Sequence, residues 1–158
     1  MELGLDSFDE MLAVASDIGV ESVWFNRLPG VSRVARMSDA EWDEVARKVS
    51  HLGLAISIIS PEAPFKKLHL TELEFGTFRN HPVYRQHLDD LMRTMQIAVR
   101  LGVGAVNLHS FAWPGEYSAG KPTWPMRWYT KGGVIAEADM EKLVVMLSPA
   151  VDAAEQRA

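Results

Sequence analysis

Three times along the chain, a stretch with helical apolar spacing ends in glycine and gives way at once to a short apolar run. The junctions are Ile18-Gly19-Val20, Leu52-Gly53-Leu54 and Leu101-Gly102-Val103. Glycine just past a helix end adopts the left-handed conformation that stops the helix without steric cost. The junctions recur at roughly the length of one βα unit with loops of unequal size. A chain punctuated this way alternates helices with strands, and such alternation leads to a parallel sheet flanked by helices.

The helices follow from apolar spacing and start signals. Ser7 followed by Glu10, and Ser38 followed by Glu41, are capping boxes. Phe8, Met11, Leu12, Ala15 and Ile18 line the first helix, and Trp42, Val45, Ala46, Val49 and Leu52 the second. A third helix is predicted over 82–101, with Asn80 or His81 as cap and Pro82 at the first position. Its expected buried residues are Leu88, Leu91, Met92, Met95 and Ala98. A fourth starts near Ala138, with Met140, Leu143, Val144, Leu147 and Val151 on one side. Pro149 is expected to kink it or to end its first half. Strands are predicted at 20–25, 54–59 and 103–109, with a short one at 2–6 before the first helix. The run Leu54-Ala55-Ile56-Ser57-Ile58-Ile59 suits a parallel strand covered on both faces.

The chain has 158 residues, of which 47% are hydrophobic and 23% charged, enough to bury a core. No linker or low-complexity stretch divides it, so residues 1–158 are expected to form one partial domain. The expected class is α/β, with about four parallel βα units. Four units make either a small open sheet or half of an eight-stranded barrel. The last helix runs to Ala158 without the glycine that closes the other three, and no phosphate-binding glycine fingerprint follows the first strand. Gly102-Val103-Gly104 lies before and within a strand, so it is no dinucleotide motif. Both features favour the half-barrel.

Composition narrows the function. There is no cysteine, which excludes disulfides and thiolate sites, and the formal net charge of −5 argues against nonspecific binding to nucleic acid or anionic membranes. No apolar run reaches about 18 residues, and Met1-Glu2-Leu3-Gly4-Leu5-Asp6 does not read as a signal peptide. A cytoplasmic protein is the simplest expectation.

Two stretches carry a resemblance. Phe8-Asp9-Glu10-Met11-Leu12, Ala15 and Ile18-Gly19-Val20-Glu21-Ser22-Val23-Trp24 resemble the first helix and second strand of the xylose-isomerase-like TIM barrels. Ala98-Val99-Arg100-Leu101-Gly102, followed by Val103-Gly104-Ala105-Val106-Asn107-Leu108-His109, resembles that family's A-x-x-L-G helix end and its histidine-terminated strand. The resemblance implies half of a TIM barrel, the N-terminal one, covered by the whole chain. It also implies a sugar phosphate isomerase or epimerase type of protein. In the complete barrel the activity would be metal-assisted proton transfer next to a sugar carbonyl. A divalent cation (Mn, Mg, Zn or Co) and a sugar or sugar phosphate are the implied cofactor and partner. The family's metal carboxylates lie on later strands, so this chain alone is not expected to bind the metal tightly.

His109 is the one residue that the resemblance places at the site, as a metal ligand or a substrate-orienting, proton-moving imidazole at the C-terminal rim. Position also nominates Trp113 as a wall of the sugar pocket and Glu62, past the third strand, as a hydroxyl acceptor. The loop from Ser110 to Glu137 is long for a βα connection and rich in aromatic residues, among them Phe111, Trp113, Tyr117, Trp124, Trp128 and Tyr129. Those aromatics suit either a lid over a sugar or a cluster packed over the barrel mouth. Arg27, Arg33 and Arg36 suit phosphate recognition or simple solvation. His69, His81 and His87 are expected at the surface, because their spacings put no pair on one helical face. Glu72 and Glu74 are expected to pair with Lys66 or Lys67. The alternative to an enzyme is a non-catalytic half-barrel in which two copies join their exposed sheet edges, as a binding or scaffold homodimer.

Overall fold

In the computed structural model, which describes residues 7–28, 33–61, 68, 70, 73–109, 111 and 137–157, the three glycine junctions share one backbone solution. Gly19, Gly53 and Gly102 have φ of 77°, 71° and 69°. At each, the glycine N–H and the next N–H turn back onto the last helical turn. Gly53 N donates to Ser50 O at 3.0 Å and Leu54 N to Val49 O at 3.1 Å. The corresponding bonds are Gly19 to Ser16, Val20 to Ala15, Gly102 to Val99 and Val103 to Ala98. This paired capping satisfies carbonyls that a helix end would otherwise leave open, and it aims the chain into a strand.

Among the described residues there are four α-helices: α1 (Phe8–Asp17), α2 (Asp39–His51), α3 (Pro82–Leu101) and α4 (Glu137–Glu155). Ser38 and Glu41 close a full capping box on α2, and Ser7 accepts from Glu10 N at the head of α1. A 3-10 turn, Phe78–Asn80, precedes α3 and takes up Asn80, one of the two expected caps. Strands β1 (Ser22–Phe25) and β2 (Ala55–Ile59) pair in parallel. Ser22 faces Ala55, Val23 faces Ile56, Trp24 faces Ile58 and Phe25 faces Ile59. The register slips between Val23 and Trp24, and the extra residue is Ser57, whose hydroxyl donates to Val23 O at 3.1 Å. The third predicted strand is reduced to one parallel bridge, Ile59 with Val106, held by Ile59 N to Ala105 O and Asn107 N to Ile59 O. β2 therefore lies between β1 and the segment at Val106. The strand expected at 2–6 lies outside the described residues.

The chain divides into two units: Met1–Glu62 with Asp90–Leu108, and Ala63–Asp89 with His109–Ala158. The first holds a core in which Leu12, Trp42, Val45, Val49, Ile97 and Ala98 pack with Phe25 and Ile59 of the sheet. Trp42 is wholly buried; its indole N–H donates to Val34 O at 3.2 Å, and its ring lies 6.4 Å from that of Phe25. The expectation that β2 is covered on both faces is corrected here. Among the described residues, helices cover one face, where Val23, Phe25, Ile56 and Ile59 meet the core. On the other face Ser22, Trp24, Ala55 and Ser57 are exposed, Trp24 to 52%.

In the second unit Tyr84 is central. Its hydroxyl donates to Met146 O at 2.6 Å, and its ring meets Phe78 edge-on at 5.0 Å and stacks on Phe111 at 6.4 Å. Burial pushes the Tyr84 phenol up from its ordinary pKa. α4 does not end its first half at Pro149, one of the two outcomes expected there: it continues through the proline, with Ser148 Oγ bonded to Val144 O and Ala150 and Ala153 buried beyond it. Its buried residues are Leu143, Met146, Ala150 and Ala153, whereas Met140, Val144 and Val151 are exposed. α3 likewise buries Tyr84, Asp90, Leu91, Thr94, Ile97 and Ala98, while Leu88, Met92 and Met95 are only half-buried. No helix among the described residues is long and apolar enough to cross a membrane.

Candidate functional site

Parallel strands end together, and the backbone leaving them forms a common rim. In the first unit that rim is built from Asn26 and Arg27 after β1, Ser60 and Pro61 after β2, and Asn107 after the bridge at Val106. Asn26 and Arg27 are exposed and Asn107 is half-buried. Ser60 is fully buried. Its N–H donates to Phe25 O at 2.8 Å and its hydroxyl to Pro61 O at 3.2 Å, so it ties the ends of β1 and β2 together. That tie is a structural role, because both polar groups of Ser60 are already engaged with backbone.

His109 follows Asn107 by two residues and is half-buried. Glu62 and Trp113, the other two residues nominated from sequence, lie outside the described residues, as do Lys66, Lys67, His69 and Glu72. Of the aromatic loop only Phe111 is described. It is buried against Tyr84, so this member of the set serves as core rather than as a sugar platform. His81 and His87 are half-buried, not surface residues as expected, and the Nδ1 atom of each is shielded from solvent.

The arginines after β1 do something the sequence did not announce. Arg33 and Arg36 both pair with Asp90 of α3, Arg36 at 3.4 Å, and Asp90 is only 8% exposed. Two guanidiniums thus neutralise one buried carboxylate, which leaves them less available for phosphate. Asp90 interrupts the apolar seam of α3 next to Leu91, and that interruption was the one signal in the sequence.

A divalent-metal site needs about three converging oxygen or nitrogen ligands. Among the described residues no three His, Cys, Asp or Glu side chains come together in that way. The donor set among the described residues does not fit such a centre.

No family model matches the sequence, and no curated protein matches it. Solved structures do match its fold. One is a xylose isomerase-like TIM barrel protein from Mycobacterium smegmatis in complex with magnesium. It superposes with a TM-score of 0.60 at 18% identity, over 95% of this chain and 44% of that one. Another is a xylose isomerase domain protein from Planctomyces limnophilus, with a TM-score of 0.54 at 14% identity, over 92% of this chain and 45% of that one. The chain spans less than half the length of these structures, and at such identities the likeness establishes fold alone. The helix–glycine–strand units described here thus share the fold of part of a TIM barrel, as it occurs in these two structures.

Proposed function

We propose that the chain is part of a barrel of the sugar phosphate isomerase or epimerase type. In the complete barrel the reaction would be metal-assisted proton transfer next to a sugar carbonyl. The observation that carries this reading is the fold match to two xylose isomerase-like proteins, one of them solved with magnesium. His109, just past the strand segment at Val106, is the residue of this chain assigned to the reaction. Its role is to orient a sugar hydroxyl or to hold and move a proton at an imidazole nitrogen. Trp113 is assigned to the wall of the sugar pocket and Glu62 to a hydroxyl contact. Because the described residues do not gather metal ligands, the chain by itself is an incomplete catalytic unit in this reading.

The test is exchange of the carbon-bound proton next to the carbonyl. The barrel completed by its remaining βα units, rather than this chain alone, is incubated in D₂O with pentose and hexose phosphates and with Mn²⁺, Mg²⁺ or Zn²⁺, and NMR follows the loss of that proton signal. Exchange that falls by about 100-fold in His109→Ala is the expected result, the scale of a lost general acid–base group. Absence of exchange with every sugar phosphate and metal sinks the enzymatic reading.

The uncovered sheet face favours a second reading. Trp24 is 52% exposed in mid-strand on the face opposite the helices, beside Ser22, Ala55 and Ser57. Two copies that close on each other across it would make a non-catalytic, homodimeric binding or scaffold protein. Sedimentation equilibrium decides: a dimer that dissociates in Trp24→Lys supports this reading, and a monomer at micromolar concentration removes it.

A further inference from the structure

The second unit contains an open groove of about 470 Å³, within the size range of small-molecule sites. It lies against the first half of α3 and the end of α4, with Leu88 and Pro149 as its apolar part. Four charges line it: Arg79 and Arg85 on one side of the balance, Asp89 and Asp152 on the other. Among the described residues none of the four enters an ion pair. This is informative for Arg85 and Asp89, which stand four residues apart on one helix, a spacing at which opposite charges ordinarily meet. Elsewhere on the described helices several such groups do find each other: Arg47 with Glu44 along one helix, and Arg93 with Asp39 and Lys48 with Asp9 between helices. Arg79 rests on the Phe78 ring, its guanidinium carbon 5.7 Å from the centroid, so its planar fork is held without a carboxylate partner. Tyr84 also lines the groove, and its hydroxyl, committed to Met146 O, fixes that wall.

We infer that this groove binds a small oxyanion that also carries hydrogen-bond donors, with Arg79 and Arg85 taking the oxyanion and Asp89 and Asp152 taking the donors. Guanidinium forks match the two oxygens of a phosphate or carboxylate, and carboxylates accept from hydroxyl or ammonium groups. Leu88 and Pro149 cover the carbon chain between the two ends. The chemistry is shared by phosphorylated polyols and by amino-phosphates, which differ only in the donor. The site is separate in its residues from His109, and it stands whether or not the proposed isomerase function does.

Calorimetric titration of the full chain tests it with three probes: glycerol 3-phosphate, phosphoethanolamine and inorganic phosphate. The expected result is that at least one two-ended probe binds more tightly than phosphate. In Arg85→Gln its affinity falls about tenfold or more, the weight of a charge-assisted hydrogen bond. In Asp152→Asn the two-ended probe weakens while phosphate does not. A preference for phosphoethanolamine identifies the donor as ammonium, and one for glycerol 3-phosphate identifies hydroxyls. Both substitutions are at exposed positions, and unchanged thermal unfolding of each variant verifies that the fold is intact. The inference is overturned if no probe binds at 10 mM (roughly the weak limit of specific recognition). It is equally overturned if phosphate binds as tightly as the two-ended probes, or if Arg85→Gln leaves affinity unchanged.

Discussion

α2 and α4 look alike as sequences and behave differently in the fold. Both carry apolar residues at helical spacing. On α2 those residues form one stripe, and Trp42, Val45 and Val49 are all buried in the core of the first unit. On α4 there are two stripes. Leu143, Met146, Ala150 and Ala153 are buried, while Met140, Val144 and Val151 face outward, Val144 at 63% exposure. A single stripe tells the helix which way to turn. Two stripes leave that choice to the partners available, and only one of the two is covered in this chain.

The largest effect expected separates these faces. Trp42→Ala removes a fully buried ring and its hydrogen bond to Val34 O, and it should cost about 3–5 kcal/mol. Met146→Ala, on the covered stripe of α4, should cost about 2–5 kcal/mol in its own unit. Urea unfolding followed at two probes, one in each unit, measures both. If Met146→Ala is silent while Trp42→Ala is not, the covered stripe of α4 contributes little and the comparison fails.

Next comes the junction that ends α2. Gly53→Ala places a Cβ on a residue at φ 71°, and nothing lies within 4 Å of that Cβ, so crowding is not the issue. The backbone itself resists, at about 1–2 kcal/mol for a left-handed non-glycine residue. The same substitution at Gly19 and Gly102 should cost a similar amount, since the three caps are alike. Unequal costs would show that the repeated motif hides different strains.

The repeated motif is also what made the fold legible. Three glycines with their flanking apolar residues place the helix ends, and the bounds expected for α3 match Pro82–Leu101 as observed. Side-chain burial was harder to read. The seam of α3 runs through Asp90 and Thr94, two polar residues that apolar counting skips. Asp90 is buried because Arg33 and Arg36 reach it, and Thr94 because its hydroxyl bonds to Asp90 O at 2.7 Å. The first partnership spans more than fifty residues of sequence; the second is a bond along the helix. Likewise Leu54-Ala55-Ile56 is apolar enough for a strand covered twice, but coverage needs a second layer that the pattern cannot supply. Of the residues nominated for the site, only His109 stands among the described residues, and position after an apolar run was its one signal. The groove beside α3 depends on charges that fail to pair, and no spacing rule foretells that.

A smaller effect concerns how α2 begins. Ser38 N–H and the Ser38 hydroxyl both donate to Glu41 at 2.7 Å, which holds the Glu41 carboxyl below the usual carboxylate range. Hydrogen bonding from Arg93 does the same for Asp39, and from Arg47 for Glu44. A depressed folded-state pKa stabilises the fold above the ordinary carboxylate range, and that contribution is lost as pH falls through the folded values. Thermal midpoints should therefore drop on going from pH 6 to pH 3 (roughly spanning the carboxylate range), and less steeply in Glu41→Gln. Ser38→Ala should cost about 1 kcal/mol at neutral pH.

The smallest expected change is the most discriminating for α4. Val144→Ser alters a side chain that is 63% exposed, and surface substitutions of this kind usually stay within about 0.5 kcal/mol. Near-neutrality, read from urea unfolding at several protein concentrations, means that the outer stripe faces water in solution. A cost above about 1.5 kcal/mol that grows with protein concentration would mean that the stripe is covered by another chain. In that case α4 is not an exception to the rule that α2 obeys. Both helices would then bury every apolar stripe they carry, and the difference between them would lie in whether the covering layer belongs to the same chain.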